Sequence, residues 1–126
     1  MEKAFCTVVN CMDGRVQLPV ISYLQKRFGA EYVDSITEPG PIKALSEDQG
    51  GPTAGSVLDR IAISVEKHGS CAIAVVGHHD CAGNPQPKET QLHQIEKAVE
   101  LISSRFPNAE VIGLWVDGSW QVSEVR

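Results

Sequence analysis

The sequence predicts an α/β fold in three layers. A mostly parallel sheet of four strands, order 2-1-3-4, carries a short returning edge strand and helices on both faces. Three observations predict it. Apolar runs of strand length alternate with longer segments of helical spacing, the pattern of strand–helix–strand units. The run "CAIAVVG" (71–77) is apolar almost throughout, as a strand covered on both sides must be. The 126 residues are 42% hydrophobic and 21% charged, which suits one globular domain over residues 1–126.

Each element follows in order. "AFCTVVNC" (4–11) is short, apolar and β-branched, and reads as the first strand. "LPVISYLQKRFG" (18–29) places Leu18, Ile21, Leu24 and Phe28 at helical spacing, with Pro19 in the first turn and Gly29 at the stop. "EYVDSIT" (31–37) reads as the second strand. The Gly- and Pro-rich segment 38–55 is too long for an ordinary connection. It is a functional loop or holds one short helix around 42–47. Ser56 is placed to cap the next helix, in which Leu58, Ile61 and Val65 share a face and Gly69 ends the run. After the third strand, "KETQLHQIEKAVELISSRF" (88–106) steps through Leu92, Ile95, Val99, Ile102 and Phe106. "EVIGLWV" (110–116) is the fourth strand, "DGS" a hairpin turn, and "WQVSEV" (120–125) the returning strand.

Right-handed crossovers in this order put strands one and three side by side, with the chain reversing direction between them. The crevice at their carboxyl ends is where open α/β sheets bind ligands. "NCMDGRV" stands at one end and "GHHDCAG" at the other, so Cys11, Asp13 and Arg15 meet His78, His79, Asp80 and Cys81. Three Cys and His ligands with one open position are the pattern of catalytic zinc. Cys11, Cys81 and one histidine supply three. The H-x-x-C spacing favours His78, because His79 is too near Cys81 in sequence to converge easily. Asp13 is placed either to bind the metal or to handle the proton of a metal-bound water. A bidentate pair with Arg15 would decide between these. With Asp13 held away, water takes the fourth position, and zinc lowers its pKa toward about 7 and generates hydroxide. Two thiolates cancel the charge of zinc, so that water is expected to be less acidic than at an all-histidine site.

Composition excludes other classes. The net charge is −5, and the 11 Lys and Arg are scattered, so nucleic acid is not an expected partner. No apolar run approaches the roughly 18–20 residues of a membrane span. The opening stretch leads straight into Asp13 and Arg15 and does not read as a secretion signal, so a cytoplasmic location with reduced cysteines is expected.

The C-x-D-x-R of "CMDGR" (11–15) and the H-x-x-C of "GHHDC" (77–81) resemble the zinc motifs of β-class carbonic anhydrases. The order of elements resembles theirs over roughly Phe5 to Val122. The resemblance implies zinc held by Cys11, His78 and Cys81, and Asp13 with Arg15 as the catalytic dyad that opens the fourth position. It implies carbon dioxide and bicarbonate as substrate and product, and a homodimer or higher homo-oligomer. The sequence departs from the family pattern at Gly14, where Ser is usual, at "TEPGP" (37–41) and at Ala82–Gly83. The family's helical arm before strand one, and its substrate-orienting Gln, are not assigned. Two alternatives share the scaffold: a carbonyl sulfide or carbon disulfide hydrolase, and a non-catalytic zinc-binding or regulatory protein.

The remaining candidates read as structural. Cys6 and Cys71 are expected in the core. His79 sits at the rim, where it could also relay protons. Asp80 caps its turn or orients the ligand histidine. His68 and His93 lie on helices, and Trp115 and Trp120 are core or interface residues. A phosphatase-type loop would need Arg at position 17, which is Gln, and no C-x-x-C exists for thiol exchange.

Overall fold

The computed structural model describes residues 4–125. Strand β1 (Phe5–Cys11) leads through a single 3-10 turn (Gly14–Val16) into helix α1 (Gln17–Phe28). Strand β2 (Tyr32–Glu38) is followed by α2 (Pro41–Glu47) and α3 (Pro52–His68). Strand β3 (Ala72–His78), helix α4 (Lys88–Arg105), strand β4 (Glu110–Val116) and strand β5 (Val122–Val125) complete the described chain. The sheet order is β2-β1-β3-β4-β5, parallel except for β5, as the alternation of elements predicts.

Side chains alternate across the pleat, so each strand feeds two cores. Cys6 and Val8 of β1, Ala72, Ala74 and Val76 of β3, and Leu114 of β4 pack under α1. Val9, Ile73, Val75 and Trp115 point the other way and pack under α2, α3 and α4. Helices therefore cover both faces, which is why β3 is buried along its whole length.

Several local expectations are corrected. Helix α1 buries Val20, Leu24 and Phe28 in line with Val16, an unbroken i, i+4 series; Leu18 lies off it and is 79% exposed. The 3-10 turn sets this rotation by delivering Val16 into the core just before the helix starts. Ser56 does not cap α3. The helix begins at Pro52 after Gly51, because proline at the first position has no N–H to lose. On α4 the buried line is Gln91, Ile95, Ala98 and Ile102, with Gln94 beside it; Leu92, Val99 and Phe106 are only partly buried. The hairpin loop is longer than "DGS". The Asp117 carboxylate accepts the N–H groups of Ser119 and Gln121, Trp120 takes a left-handed φ of 60°, and β5 starts only at Val122. Cys71 is exposed at the start of β3, whereas Cys6 is buried. Gly29 and Gly69 end α1 and α3 as predicted.

The β1–β3 ladder runs only from Thr7–Val9 against Ile73–Val75. Beyond it the two strands part, and the crevice at their carboxyl ends opens. Among the described residues no helix is long and apolar enough to cross a membrane.

Candidate metal centre

Cys11 is the last residue of β1, His78 is the last of β3, and Cys81 follows in the loop. Their donor atoms all lie within 4.8 Å of one another, and all three residues are buried. The two sulfurs are 3.8 Å apart and unbonded. Two sulfurs each about 2.3 Å from a tetrahedral zinc would be about 3.8 Å apart, whereas a disulfide needs about 2.05 Å.

The imidazole of His78 is oriented from behind. Its Nδ1 donates to the carbonyl of His79 at 2.7 Å, which leaves Nε2 as the lone-pair nitrogen. That Nε2 is buried and has no hydrogen-bond partner among the described residues. Buried polar atoms are rarely left so, and an orphan facing two thiols calls for a cation. Sulfur, sulfur and nitrogen are the donors zinc favours, so the residues present fit the metal. His79 itself is exposed and stands outside the group.

Backbone N–H groups line the thiols. Burial pushes the Cys11 thiol up. The nearby His78 imidazole and the N–H groups of Gly40 and Asp13 outweigh it and bring the thiol down to about 7. Burial and the neighbouring Cys11 raise Cys81, and the N–H groups of Asn84 and Gly83 offset only part of this. Burial works to lower His78, but Cys11 and the His79 carbonyl win and raise it. Gly40 and Gly83 come from separate loops pressed together. A Cβ on Gly40 would sit 2.6 Å from Asn84 Cβ and 2.8 Å from the Gly83 carbonyl carbon, so this close approach needs glycine.

Asp13 stands apart from the three donors, turned toward Arg15. Its Oδ1 accepts the Arg15 N–H at 2.8 Å, capping the 3-10 turn. The guanidinium then grips both oxygens, with Nη2 to Oδ2 at 2.7 Å and Nε to Oδ1 at 3.1 Å. Hydrogen bonding from Arg15 holds the Asp13 carboxyl down to about 2. Arg15 is itself held by the Trp120 ring, 4.5 Å away, and by the carbonyl of Asp80. Asp80 neither caps its turn nor reaches His78. Its own φ is 59°, and its carboxylate faces Arg15 at 3.3 Å. Gln17 staples the loop by donating to the carbonyls of Cys11 and Asp13.

A cavity of about 360 Å³ reaches Cys81 from the side of His79, Lys88 and Trp115. Sequence reasoning missed Gln17, the thiol-facing N–H groups and the buried Gln91. Backbone donors carry no residue signature, and a glutamine on a helix reads as a solvated side chain. The one available signal was glycine in both loops, at 40 and at 83.

Comparison with known proteins agrees in fold. Residues 1–126 match the family described as "Putative carbonic anhydrase". An uncharacterized protein of Rickettsia conorii is 27% identical over 124 residues, covering 88% of this chain and 66% of the relative; the chain thus spans just under two thirds of it. A carbonic anhydrase from Streptococcus mutans superposes with a TM-score of 0.69 at 18% identity, covering 98% of this chain and 82% of that one. A β-carbonic anhydrase isoform of Trichomonas vaginalis gives 0.60 at 15%, covering 99% and 85%. The apo form of a carbon disulfide hydrolase gives 0.66 at 12%, covering 98% and 79%.

Proposed function

The chain belongs to this carbonic anhydrase family, and on that premise we propose that it is a zinc lyase hydrating carbon dioxide reversibly to bicarbonate and a proton. One observation carries the reading: the buried, unpartnered Nε2 of His78 beside two thiols at the separation zinc would impose. Cys11, His78 and Cys81 would hold the metal. Zinc bound there supplies a Lewis acid that lowers the pKa of water.

The chain's own residues do the rest. Arg15 keeps Asp13 ionised and turned away from the three donors, so the carboxylate would not compete with water for the metal. The carboxylate then accepts a hydrogen bond from water in the crevice, orients it toward carbon dioxide and takes part in moving its proton. The low pKa of Asp13 keeps it an acceptor throughout the neutral range. Residues 1–126 act as one domain, and reduced thiols in the site favour a cytoplasmic location. The working unit is a homodimer or larger homo-oligomer, a reading supported by two exposed apolar side chains close in sequence to the dyad. Met12 is 63% exposed and Leu18 lies on the outer face of α1.

The test is elemental analysis beside stopped-flow hydration. Wild type should hold one zinc per chain and turn over carbon dioxide. Asp13→Ala should keep zinc and lose about 10²-fold or more in rate. Cys81→Ser should lose the metal. A wild type without zinc would sink the proposal. Zinc without turnover of carbon dioxide would replace it, either by hydrolysis of carbonyl sulfide or carbon disulfide or by a purely zinc-binding role.

A further inference from the structure

We infer that Gln91 is the positioning residue of the metal centre: one buried amide on α4 fixes both stems of the loop that carries His78 and Cys81. The inference rests on the zinc reading above and adds to it the device that sets ligand geometry.

The need for such a device follows from the sheet. Beyond the β1–β3 ladder, the strands part to open the crevice. On its other side β3 stays paired, and the N–H of His79 bonds the Val116 carbonyl of β4. Successive residues of a strand point their amide groups to opposite neighbours, so the N–H and C=O of His78 face the gap. Among the described residues no strand satisfies them there. Two buried backbone groups left unpaired would each carry the full cost of their lost solvation.

Gln91 takes both. Its Oε1 accepts the His78 N–H at 3.1 Å, and its Nε2 donates to the His78 carbonyl at 2.9 Å. The second Nε2 proton goes to the carbonyl of Gln86 at 3.0 Å. His78 enters the loop and Gln86 closes it, and Cys81 lies between them. The amide therefore clamps the loop at both ends and uses both of its donors doing so. The side chain is 1% exposed. It reaches the strand across Gly77, where a Cβ would lie 3.0 Å from its Oε1.

The clamp acts on the donors through one further bond. With the His78 backbone fixed, the His79 carbonyl lies where it receives Nδ1, and Nε2 is aimed at Cys11 and Cys81. Removing the amide frees the backbone on which two of the three donors are mounted.

The experiment compares Gln91→Met, of similar shape without hydrogen bonds, with Gln91→Glu, which keeps an acceptor for His78 N–H but loses both donors. Ile95→Val is the control, a core change on the same face of α4. Zinc affinity is read by competition with a chromophoric chelator. Ligand geometry is read from the visible absorption bands of the cobalt(II)-substituted protein. The Met variant should bind zinc about 10- to 100-fold more weakly, the range for losing a group that orients a metal ligand, with shifted cobalt bands. The Glu variant should show a smaller loss in the same direction, and it decides the matter if the Met variant does not fold. Ile95→Val should change stability only. Gln91 variants that match Ile95→Val in zinc affinity and cobalt bands would overturn the inference while leaving the zinc reading intact. A wild type that takes up neither metal would remove both.

Discussion

Cys11 and Cys81 are chemically unequal although they face each other. Burial opposes ionisation at both. Cys11 has the imidazole of His78 beside it and ionises near 7; Cys81 has Cys11 beside it and stays protonated above its ordinary range. Zinc needs both as thiolates, so binding must displace whatever protons remain. At pH 8 Cys11 is already largely ionised, so it has little left to release when zinc binds. At pH 6 Cys11 also carries its proton, so more protons should leave per zinc at pH 6 than at pH 8. Calorimetry in buffers of different ionisation enthalpy counts them directly. A release that does not change between pH 6 and 8 would contradict this asymmetry. The H-x-x-C spacing was enough to favour His78 over His79. It gave no hint of the tautomer, because the group that sets it is a backbone carbonyl. Asp80 misled for a related reason: a left-handed φ turns it toward Arg15, and spacing does not encode that turn.

Elements build the site by ending in the right places. β1 and β3 stop at Cys11 and His78, and the loops after β2 and β3 close over the thiols from two sides. Those loops meet at Gly40 and Gly83, which present N–H groups to Cys11 and Cys81. Gly40 has a φ of 54°, so alanine there combines backbone strain with a clash against Asn84 and Gly83. Gly40→Ala should cost about 2 kcal/mol or more in urea unfolding and should weaken zinc binding, because the loops must separate. Gly14→Ala, which meets nothing within 4 Å, should stay within about 0.5 kcal/mol of wild type. Equal midpoints for the two variants would refute a tight junction at Gly40. The order of strands and helices was legible because apolar runs of two periods alternate. Which face each helix buries was legible only in part. On α1 the exposed Leu18 imitates a core residue. On α4 the buried Gln91 and Gln94 imitate surface ones, since their partners, the His78 backbone, the Asn84 amide and the Glu47 carboxylate, lie outside the helix.

At the scale of the molecule, the Cys11–His78–Cys81 group joins the end of β1 to the loop after β3, with the two cysteines 70 residues apart in sequence. The two hydrophobic cores hold the sheet from either side, but the sheet is open at this end, where β1 and β3 part. Without metal, the crevice keeps a buried imidazole nitrogen with no partner and a thiol whose ionisation is opposed. A metal that binds these groups only when they converge must stabilise the folded chain by mass action. At free zinc one hundred times its dissociation constant, that amounts to about 2.7 kcal/mol. For a chain of this size it corresponds to a rise in Tm of about 10 °C. The shift should grow with the logarithm of free zinc, reverse on adding a chelator, and vanish in Cys81→Ser. Differential scanning calorimetry at several buffered zinc concentrations gives the slope. A wild-type Tm unmoved by zinc or chelator would mean that Cys11, His78 and Cys81 are packed core groups, and that the crevice holds the fold together without a metal.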